Sequence, residues 1–420
     1  MMDADRSRYL VLLEKATALL LLAYPVLTIA LRGGMNGVFL LMLLLALSAW
    51  LVRPAGMSKA RWQHEWTIYS AAMLAMTAAI LVSQAFHRNF TGHPHDAASR
   101  YFLAIPVFLL LQRLRPGVFA VLPFAFPAAA ITGFLMARDV GGRAGVGTLD
   151  LIHFGDFEMI LGMLSLLGID WFGRDKTPVR AFKILGFIAG LAASFASGSR
   201  GGWLAIPVFL AIFIYFKIGR ISPRMVLSVL AAAMLAIASL YSFNAAFHQR
   251  TNELASDLAA FGQGNRDTST GIRWQLYKAA VDVFSRHPVF GVGPEGFALE
   301  MKPMMEAGKI TPAAAEMGRG EVHNDILSKA AGMGIFGLAA MLAIYFVPFW
   351  LFWRATKSAL AQVRHAGILG IAFVSGFLVF GLTVEVLNLT MAAAFYSFTV
   401  AVLLAACCNA HYGEQSTYRL

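Results

Sequence analysis

The run NGVFLLMLLLALSAWLV, residues 36–52, contains no charged residue and is long enough to cross the hydrocarbon core of a bilayer as a helix. Comparable apolar runs follow along most of the chain, in which 58% of the residues are hydrophobic and 14% are charged. A soluble domain has about a quarter charged residues. The strands of a transmembrane barrel would alternate apolar and polar residues, which these runs do not. The sequence therefore predicts an all-α, polytopic membrane protein.

The apolar runs predict about twelve transmembrane helices and one large polar loop. The predicted spans cover residues 9–31, 36–52, 67–86, 101–112, 117–137, 151–172, 181–198, 203–216, 225–243, 326–352, 366–386 and 390–410. The fourth and eighth are short for a bilayer, so we expect them to be tilted, partial or extended by neighbouring residues. This divides the chain into residues 1–243 with spans one to nine, the loop 244–325, and residues 326–420 with spans ten to twelve and a tail.

Lysine and arginine are distributed unevenly among the short loops. The loop after the sixth span has Arg174, Lys176 and Arg180, for example, whereas the next loop has only Arg200. Because cytoplasmic loops carry the excess of basic residues, we predict both termini in the cytoplasm and the loop 244–325 outside it. Cationic loops lying against anionic lipid also account for the net charge of +11, without a nucleic-acid partner.

The large loop has the pattern of a helical cap. Apolar residues recur at helical spacing from Ile272 to Val283, after a start signal at Ser269. The helix should stop at His287-Pro288, because a proline ring cannot continue it. The run GVGPEG, residues 291–296, then predicts a tight turn. Long ordered loops are often functional, which favours a site in this one.

Two arginines are candidates for binding phosphate. The run SGSRGGW, residues 197–203, surrounds Arg200 with small residues that let a ligand approach the backbone closely. Its alternative role is snorkelling to lipid headgroups. Arg273 opens the loop helix, and a guanidinium group pairs bidentately with phosphate oxygens. The alternative for Arg273 is an ordinary solvated charge.

His323 is the candidate general base. It lies in the run EVHND, residues 321–325, where the loop re-enters the membrane. The unperturbed pKa of histidine, about 6.5, suits proton transfer near neutral pH. The alternative is a polar cap at a helix start, a role that Asn324 and Asp325 would fill better.

Two other polar groups have a structural and a metal-binding interpretation. His87, His93 and His95 lie with Asp96 in a segment that we predict to be a polar loop, since their spacing matches no standard metal site. Asp156 and Glu158, near the outer end of the sixth span, could hold a divalent cation or pack against polar neighbours.

Taken together, these motifs resemble the O-antigen ligase family. The resemblance is specific over residues 190–340, whereas the first 150 residues share only their hydropathy. The segments that carry it are SRGGW at 199–203, the stretch from Arg273 through HPVFGVG at 287–293, and His323-Asn324 followed by Gly337-Leu338.

The resemblance implies a fold of the GT-C-like, all-helical glycosyltransferase class in the bacterial inner membrane, with a periplasmic active site and no cofactor. It implies an undecaprenyl-pyrophosphate-linked glycan as the donor and a sugar hydroxyl of lipid A-core as the acceptor. His323 would be the base, Arg200 and Arg273 would hold the pyrophosphate, and Trp203 and Asn324 would support them.

The mechanism expected for such a chain is metal-independent and inverting. Pyrophosphate is a good leaving group that two arginines can stabilise, and no Asp-x-Asp motif occurs in the predicted outer loops. An O-antigen polymerase or a protein O-oligosaccharyltransferase would share these motifs. A transporter or flippase for an anionic lipid is the alternative of another class, and Glu14, Lys15 and Glu385 are the charges in the spans that it could use.

Overall fold

A computed structural model describes residues 2–58, 62–140, 143–218 and 245–409. Apart from a hairpin of two-residue strands, β1 (Arg138–Asp139) and β2 (Ala144–Gly145), the regular structure in these ranges is helical. The helices up to residue 213 are α1 (Met2–Ala30), α2 (Gly34–Val52), α3 (His64–His87), α4 (His93–Leu111), α5 (Leu122–Met136), α6 (Leu151–Leu167), α7 (Thr177–Ser197), α8 (Arg200–Leu204) and α9 (Ile206–Phe213). Those after residue 244 are α10 (Ala245–Gly262), α11 (Ser269–Arg286), α12 (Phe297–Glu306), α13 (Pro312–Gly318), α14 (Asp325–Ala355), α15 (Ala361–Gly381) and α16 (Thr390–Cys407).

Eight helical segments in the described part are long and apolar enough to cross a membrane. They are Ser7–Ala30, Gly34–Val52, His64–His87, Pro116–Met136, Thr177–Ser197, Asp325–Ala355, Ala361–Gly381 and Thr390–Cys407. Each coincides with one of the predicted spans. The prediction of a polytopic, all-α membrane protein is thus confirmed.

The other four predicted spans differ. The fourth is the 19-residue helix α4, which begins eight residues earlier than predicted, because Pro94 in its first turn has the backbone angle that a helix start requires. The sixth is the 17-residue α6, and the eighth is part of the shorter apolar segment Arg200–Phe216. The ninth, 225–243, lies outside the described residues.

The connections at one end of the bundle are hydrogen-bonded to neighbouring helices. Thr148, in the connection before α6, donates its hydroxyl to the carbonyl of Ile29 at the end of α1. Tyr101 in α4 donates its hydroxyl to the carbonyl of Leu387, in the connection before α16. This end, which carries residues 138–150 and 382–389, is called the site face below.

Residues 269–331 have a hydrophobic core of their own. It includes buried side chains of α11, α12, the segment before α13, and the approach to α14, such as Leu276, Met301, Ile310 and Val322. Helix α11 begins after Thr268, whose hydroxyl accepts a hydrogen bond from the Gly271 amide, and it ends at Arg286. The predicted start and stop of this helix are confirmed.

Helix α14 is broken at Gly334, where the sequence predicted an uninterrupted tenth span. Gly334 has φ +61° and ψ −145°, a conformation that is essentially restricted to glycine. The amide of Ile335 is therefore free to donate to the carbonyl of Pro288, at 2.8 Å. A Cβ atom on Gly291 would lie 2.3 Å from the carbonyl carbon of Gly332. The run 287–293 thus packs its backbone into the break.

Candidate active site

His323 lies in the segment that leads into α14, with an unusual backbone. Its φ is +61°, which few residues other than glycine adopt and which costs conformational energy that functional sites often contain. The side chain is only 9% exposed, and its Nδ1 lies 2.6 Å from Oε1 of Glu321. A carboxylate at this distance favours the ring with a proton on Nδ1. The Nε2 atom then remains to accept a proton.

Glu321 is the charged partner of this histidine. Its partial burial opposes ionisation, but the hydrogen bond and charge of His323 outweigh that effect and hold the pKa of Glu321 below its ordinary value. The carboxyl group is therefore ionised at neutral pH. An ionised carboxylate therefore lies beside Nδ1 of His323.

Glu385 fixes the backbone around His323. Its Oε1 accepts a hydrogen bond from the amide of Val322 at 2.6 Å, and its Oε2 accepts one from the hydroxyl of Ser328 at 2.7 Å. The sequence placed Glu385 inside the span 366–386, but α15 ends at Gly381 and leaves it in the connection to α16. Its role at the site was missed, because an acidic residue near the end of an apolar run has the same pattern as a polar residue in a span.

The helix α11 reaches the same place through Tyr277. The Tyr277 hydroxyl donates to the carbonyl of Leu382 at 2.7 Å, and the carbonyl of His323 lies 3.1 Å away. Arg273, one turn earlier on α11, interacts electrostatically with Tyr277. Its Nη1 contacts Ser269, and its Nε is buried without a hydrogen-bond partner among the described residues. Such an orphaned donor is available to a ligand.

Asn324 contacts the same carbonyl. Its Nδ2 donates to Leu382 at 3.3 Å, while its Oδ1 accepts from the amide of Leu327 and caps α14. The predicted capping role of Asn324 is confirmed, and the cap also fixes the residue that follows His323.

The segment that leads into α8, residues 197–200, also lies near Leu382–Thr383. Ser199 donates its hydroxyl to Oδ1 of Asp156 at 2.7 Å, which holds the start of α8 against α6. A Cβ atom on Gly201 would lie 2.7 Å from the hydroxyl oxygen of Thr383, the residue after Leu382. The structure therefore brings α8, α11 and the segment of His323 together around Leu382–Thr383.

Arg200 already has two acidic partners. Its Nη1 lies 3.0 Å from Oδ2 of Asp257, and its Nη2 lies 3.4 Å from Oε2 of Glu253, both on α10. The carboxylates occupy donors that phosphate oxygens would use, since both anions bind the guanidinium group in the same way. A phosphate ligand at Arg200 would have to compete with them.

Asp156 and Glu158 do not form one site. Asp156 faces Ser199, whereas Glu158 lies beside α5, so close that a Cβ atom on Gly133 would overlap its carboxylate. The interpretation of this pair as a shared cation site is therefore wrong, and Asp156 packs against a polar neighbour. In the part of the chain that the structure describes, no three His, Cys, Asp or Glu side chains are grouped as metal ligands.

Trp203, on α8, packs against Phe195 of α7, with their ring centroids 5.5 Å apart. It lies three residues after Arg200, on the same short helix. A supporting role for Trp203 stays a prediction. This packing is the contact through which it would stabilise the short helix that carries Arg200.

The histidine-rich segment anchors the run 287–295 to α3 and α4. The Nε2 atom of His87 lies 3.2 Å from the carbonyl of Gly291, and Nδ1 of His93 lies 3.0 Å from Oε1 of Glu295. His95 contacts Gln84. The prediction of a polar loop was wrong here, because residues 93–96 form the first turn of α4.

Residues 185–342 match the family model described as O-Antigen ligase. A Haemophilus influenzae protein described as uncharacterized is 24% identical over 283 residues, which are 66% of this chain and 70% of the relative. The O-antigen ligase of Escherichia coli is 26% identical over 151 residues, which are 36% of each chain. The chain thus matches about a third of the length of that ligase. The resemblance inferred from the motifs is confirmed over the segment that contains Arg200, Arg273 and His323.

Proposed function

We propose, from the premise that residues 185–342 carry the O-antigen ligase family's segment, that this protein is a membrane glycan ligase. In the proposal it transfers a glycan from undecaprenyl pyrophosphate to a sugar hydroxyl of lipid A-core. The observation that carries the proposal is the meeting of α8, α11 and His323 around Leu382–Thr383. This arrangement combines a base with two elements that bear arginine.

His323 is the proposed base. Its Nε2 takes the proton of the acceptor hydroxyl, and the acceptor oxygen forms a bond to the anomeric carbon of the donor. The bond from that carbon to the phosphate oxygen breaks, and its electron pair leaves with the pyrophosphate. One displacement inverts the configuration at the anomeric carbon. Glu321 stabilises the imidazolium that results.

Arg200 and Arg273 are the proposed ligands of the pyrophosphate. Guanidinium groups stabilise the charge that develops on the leaving oxygen and provide it without a metal ion. Of the two arginines, Arg273 has a donor ready for the pyrophosphate, because its Nε is buried without a partner in the described structure.

We place the site face in the periplasm of a bacterial inner membrane. Lysine and arginine are concentrated in the loops at the opposite end of the bundle, and cytoplasmic loops carry the excess of basic residues. The polyprenyl tail of the donor would lie between helices at the level of the lipid. The helices of segment 245–318 would cover the site and exclude water that hydrolyses the donor. Crosslinking this segment to the bundle without loss of turnover would contradict that covering role.

The transporter alternative loses support from the positions of its charges. Glu14 accepts a hydrogen bond from the backbone amide of Arg115, and Glu385, in the connection after α15, accepts hydrogen bonds from Val322 and Ser328. Both carboxylates thus have structural partners.

The test is transfer by purified protein, with undecaprenyl-pyrophosphate glycan and lipid A-core, in the presence and absence of EDTA. We expect chelator-resistant formation of glycan-modified lipid A-core. Loss of activity with EDTA and its return with a divalent ion would contradict the metal-independent mechanism. Lengthening of the lipid-linked glycan alone would identify a polymerase, modification of an added acceptor protein an O-oligosaccharyltransferase, and no transfer would favour transport.

The acidic partners of Arg200 yield a second prediction. Replacing Asp257 with asparagine removes an anion that competes with the pyrophosphate, so KM for the donor should fall about two- to fivefold. This is the size expected for a partly exposed ion pair worth up to about 1 kcal/mol. Steady-state kinetics at saturating acceptor would measure the change.

The matched control is Glu316→Gln, which removes an exposed carboxylate paired with Arg319 on the same segment. It should leave KM for the donor unchanged. An increase of KM in Asp257→Asn would show instead that the carboxylate orients Arg200 for its ligand.

A further inference from the structure

Asp150 and His153 form a second carboxylate–histidine pair on the site face. The Nδ1 atom of His153 lies 2.6 Å from Oδ2 of Asp150. The other oxygen, Oδ1, accepts hydrogen bonds from the amides of Ile152 and His153 at the start of α6. Because one carboxylate holds both the backbone and the ring, the orientation of the imidazole is fixed.

The other nitrogen of this ring has no hydrogen-bond partner among the described residues. His153 is 5% exposed, and its Nε2 is buried without a hydrogen bond to any residue that the structure describes. Leaving a buried polar atom unsatisfied costs roughly 1–3 kcal/mol, so such an atom in a well-packed region calls for a ligand.

Helix α6 connects His153 to the candidate active site. One turn further along α6, Asp156 binds Ser199, which precedes Arg200. The imidazole of His153 also interacts electrostatically with Asp156 and with Glu321, the partner of His323. Two histidines, each with a carboxylate oxygen 2.6 Å from its Nδ1, therefore lie on neighbouring segments of the site face.

The surrounding charges indicate what kind of ligand Nε2 would contact. Asp150 and Glu321 carry negative charge in this part of the site, which disfavours a pyrophosphate and leaves that group to the arginines. A neutral hydroxyl is compatible with the carboxylates. It can donate to Nε2 of a neutral ring or accept from Nε2 of a charged one.

We propose that His153 is a substrate-binding residue whose Nε2 hydrogen-bonds a sugar hydroxyl of the acceptor and so positions the acceptor for His323. This deepens the proposed ligase function and rests on it. No bond is made or broken at His153, because the acceptor proton goes to His323 and the electron pair leaves with the pyrophosphate.

The test compares His153→Asn with His153→Gln. The amide of asparagine can replace Nδ1 and keep the contact with Asp150, but it has nothing at the position of Nε2. The amide of glutamine reaches that position. We expect KM for lipid A-core to rise about tenfold or more in His153→Asn and less in His153→Gln, the size of one lost hydrogen bond to a buried group. KM for the donor and the melting temperature in detergent should stay close to those of the wild type.

The control is His93→Asn, which changes an exposed histidine of the same face and should leave KM for the acceptor unaltered. An unchanged acceptor KM in His153→Asn, or failure of that variant to fold although it retains the Asp150 contact, would overturn the role of His153 and leave the ligase function standing. Absence of transfer by the wild type to lipid A-core or any other glycan acceptor would overturn both.

Discussion

Replacing His323 with alanine is expected to lower the rate of glycan transfer by a factor of about 10²–10⁴, the usual contribution of a positioned general base. The variant should remain folded. The backbone of this segment is held by the amide of Val322 on Glu385 and by the hydroxyl of Tyr277, and neither contact uses the imidazole. Single-turnover transfer with prebound donor would measure the loss in the chemical step.

A second substitution separates a base from a residue that only orients the acceptor. Glutamine in place of His323 can still hydrogen-bond a hydroxyl but cannot take its proton, so His323→Gln should be as slow as His323→Ala. Glu321→Gln, which keeps the imidazole and removes the charge beside it, should lose less, about tenfold. If His323→Gln transferred glycan within tenfold of the wild-type rate, the base would have to be another group.

The largest expected effect on stability is that of Gly334→Ala. The φ of +61° and ψ of −145° would strain any other residue by about 1–3 kcal/mol. The new Cβ atom would also lie 2.3 Å from the carbonyl oxygen of Val289, so the run 287–293 would have to move. We expect a loss of about 3 kcal/mol or more in the free energy of unfolding, read as a lower melting temperature in detergent.

Gly320→Ala is the matched control, since a Cβ atom there would meet only the carbonyl oxygen of Met317, at an ordinary contact distance of 3.5 Å. It should leave the melting temperature nearly unchanged. Equal melting temperatures for the two variants would mean that the break in α14 can straighten at little cost.

Hydropathy predicted the long spans, and helical spacing with a start signal predicted the loop helix. Both features depend on local sequence. Motifs likewise selected Arg200, Arg273 and His323 before any contact was known. The break at Gly334 could not be predicted in this way, since a glycine in an apolar run is equally compatible with a straight span. Its conformation depends on the carbonyl groups of Val289 and Pro288, which are distant in the sequence.

The position of Glu385 and the proposed role of His153 depend on tertiary contacts. Glu385 follows an apolar run and His153 lies within one, so neither has a local pattern that distinguishes a site residue from a polar residue in a span. The pairing of Arg200 with Asp257 joins two segments separated by the eighth and ninth predicted spans. Such pairs follow from how the helices pack, which composition and spacing do not determine.

The break in α14 also sets the height of the chemistry above the lipid. From Ile335 to Ala355 the helix rises about 31 Å at 1.5 Å per residue, which matches a hydrocarbon thickness of about 30 Å. The turns from Asp325 to Met333 then extend beyond the hydrocarbon by at most about 14 Å. In the proposed function, this length places His323, just before them, within or just beyond the layer of polar headgroups. A donor anchored by its lipid tail can present its pyrophosphate at that level without leaving the bilayer.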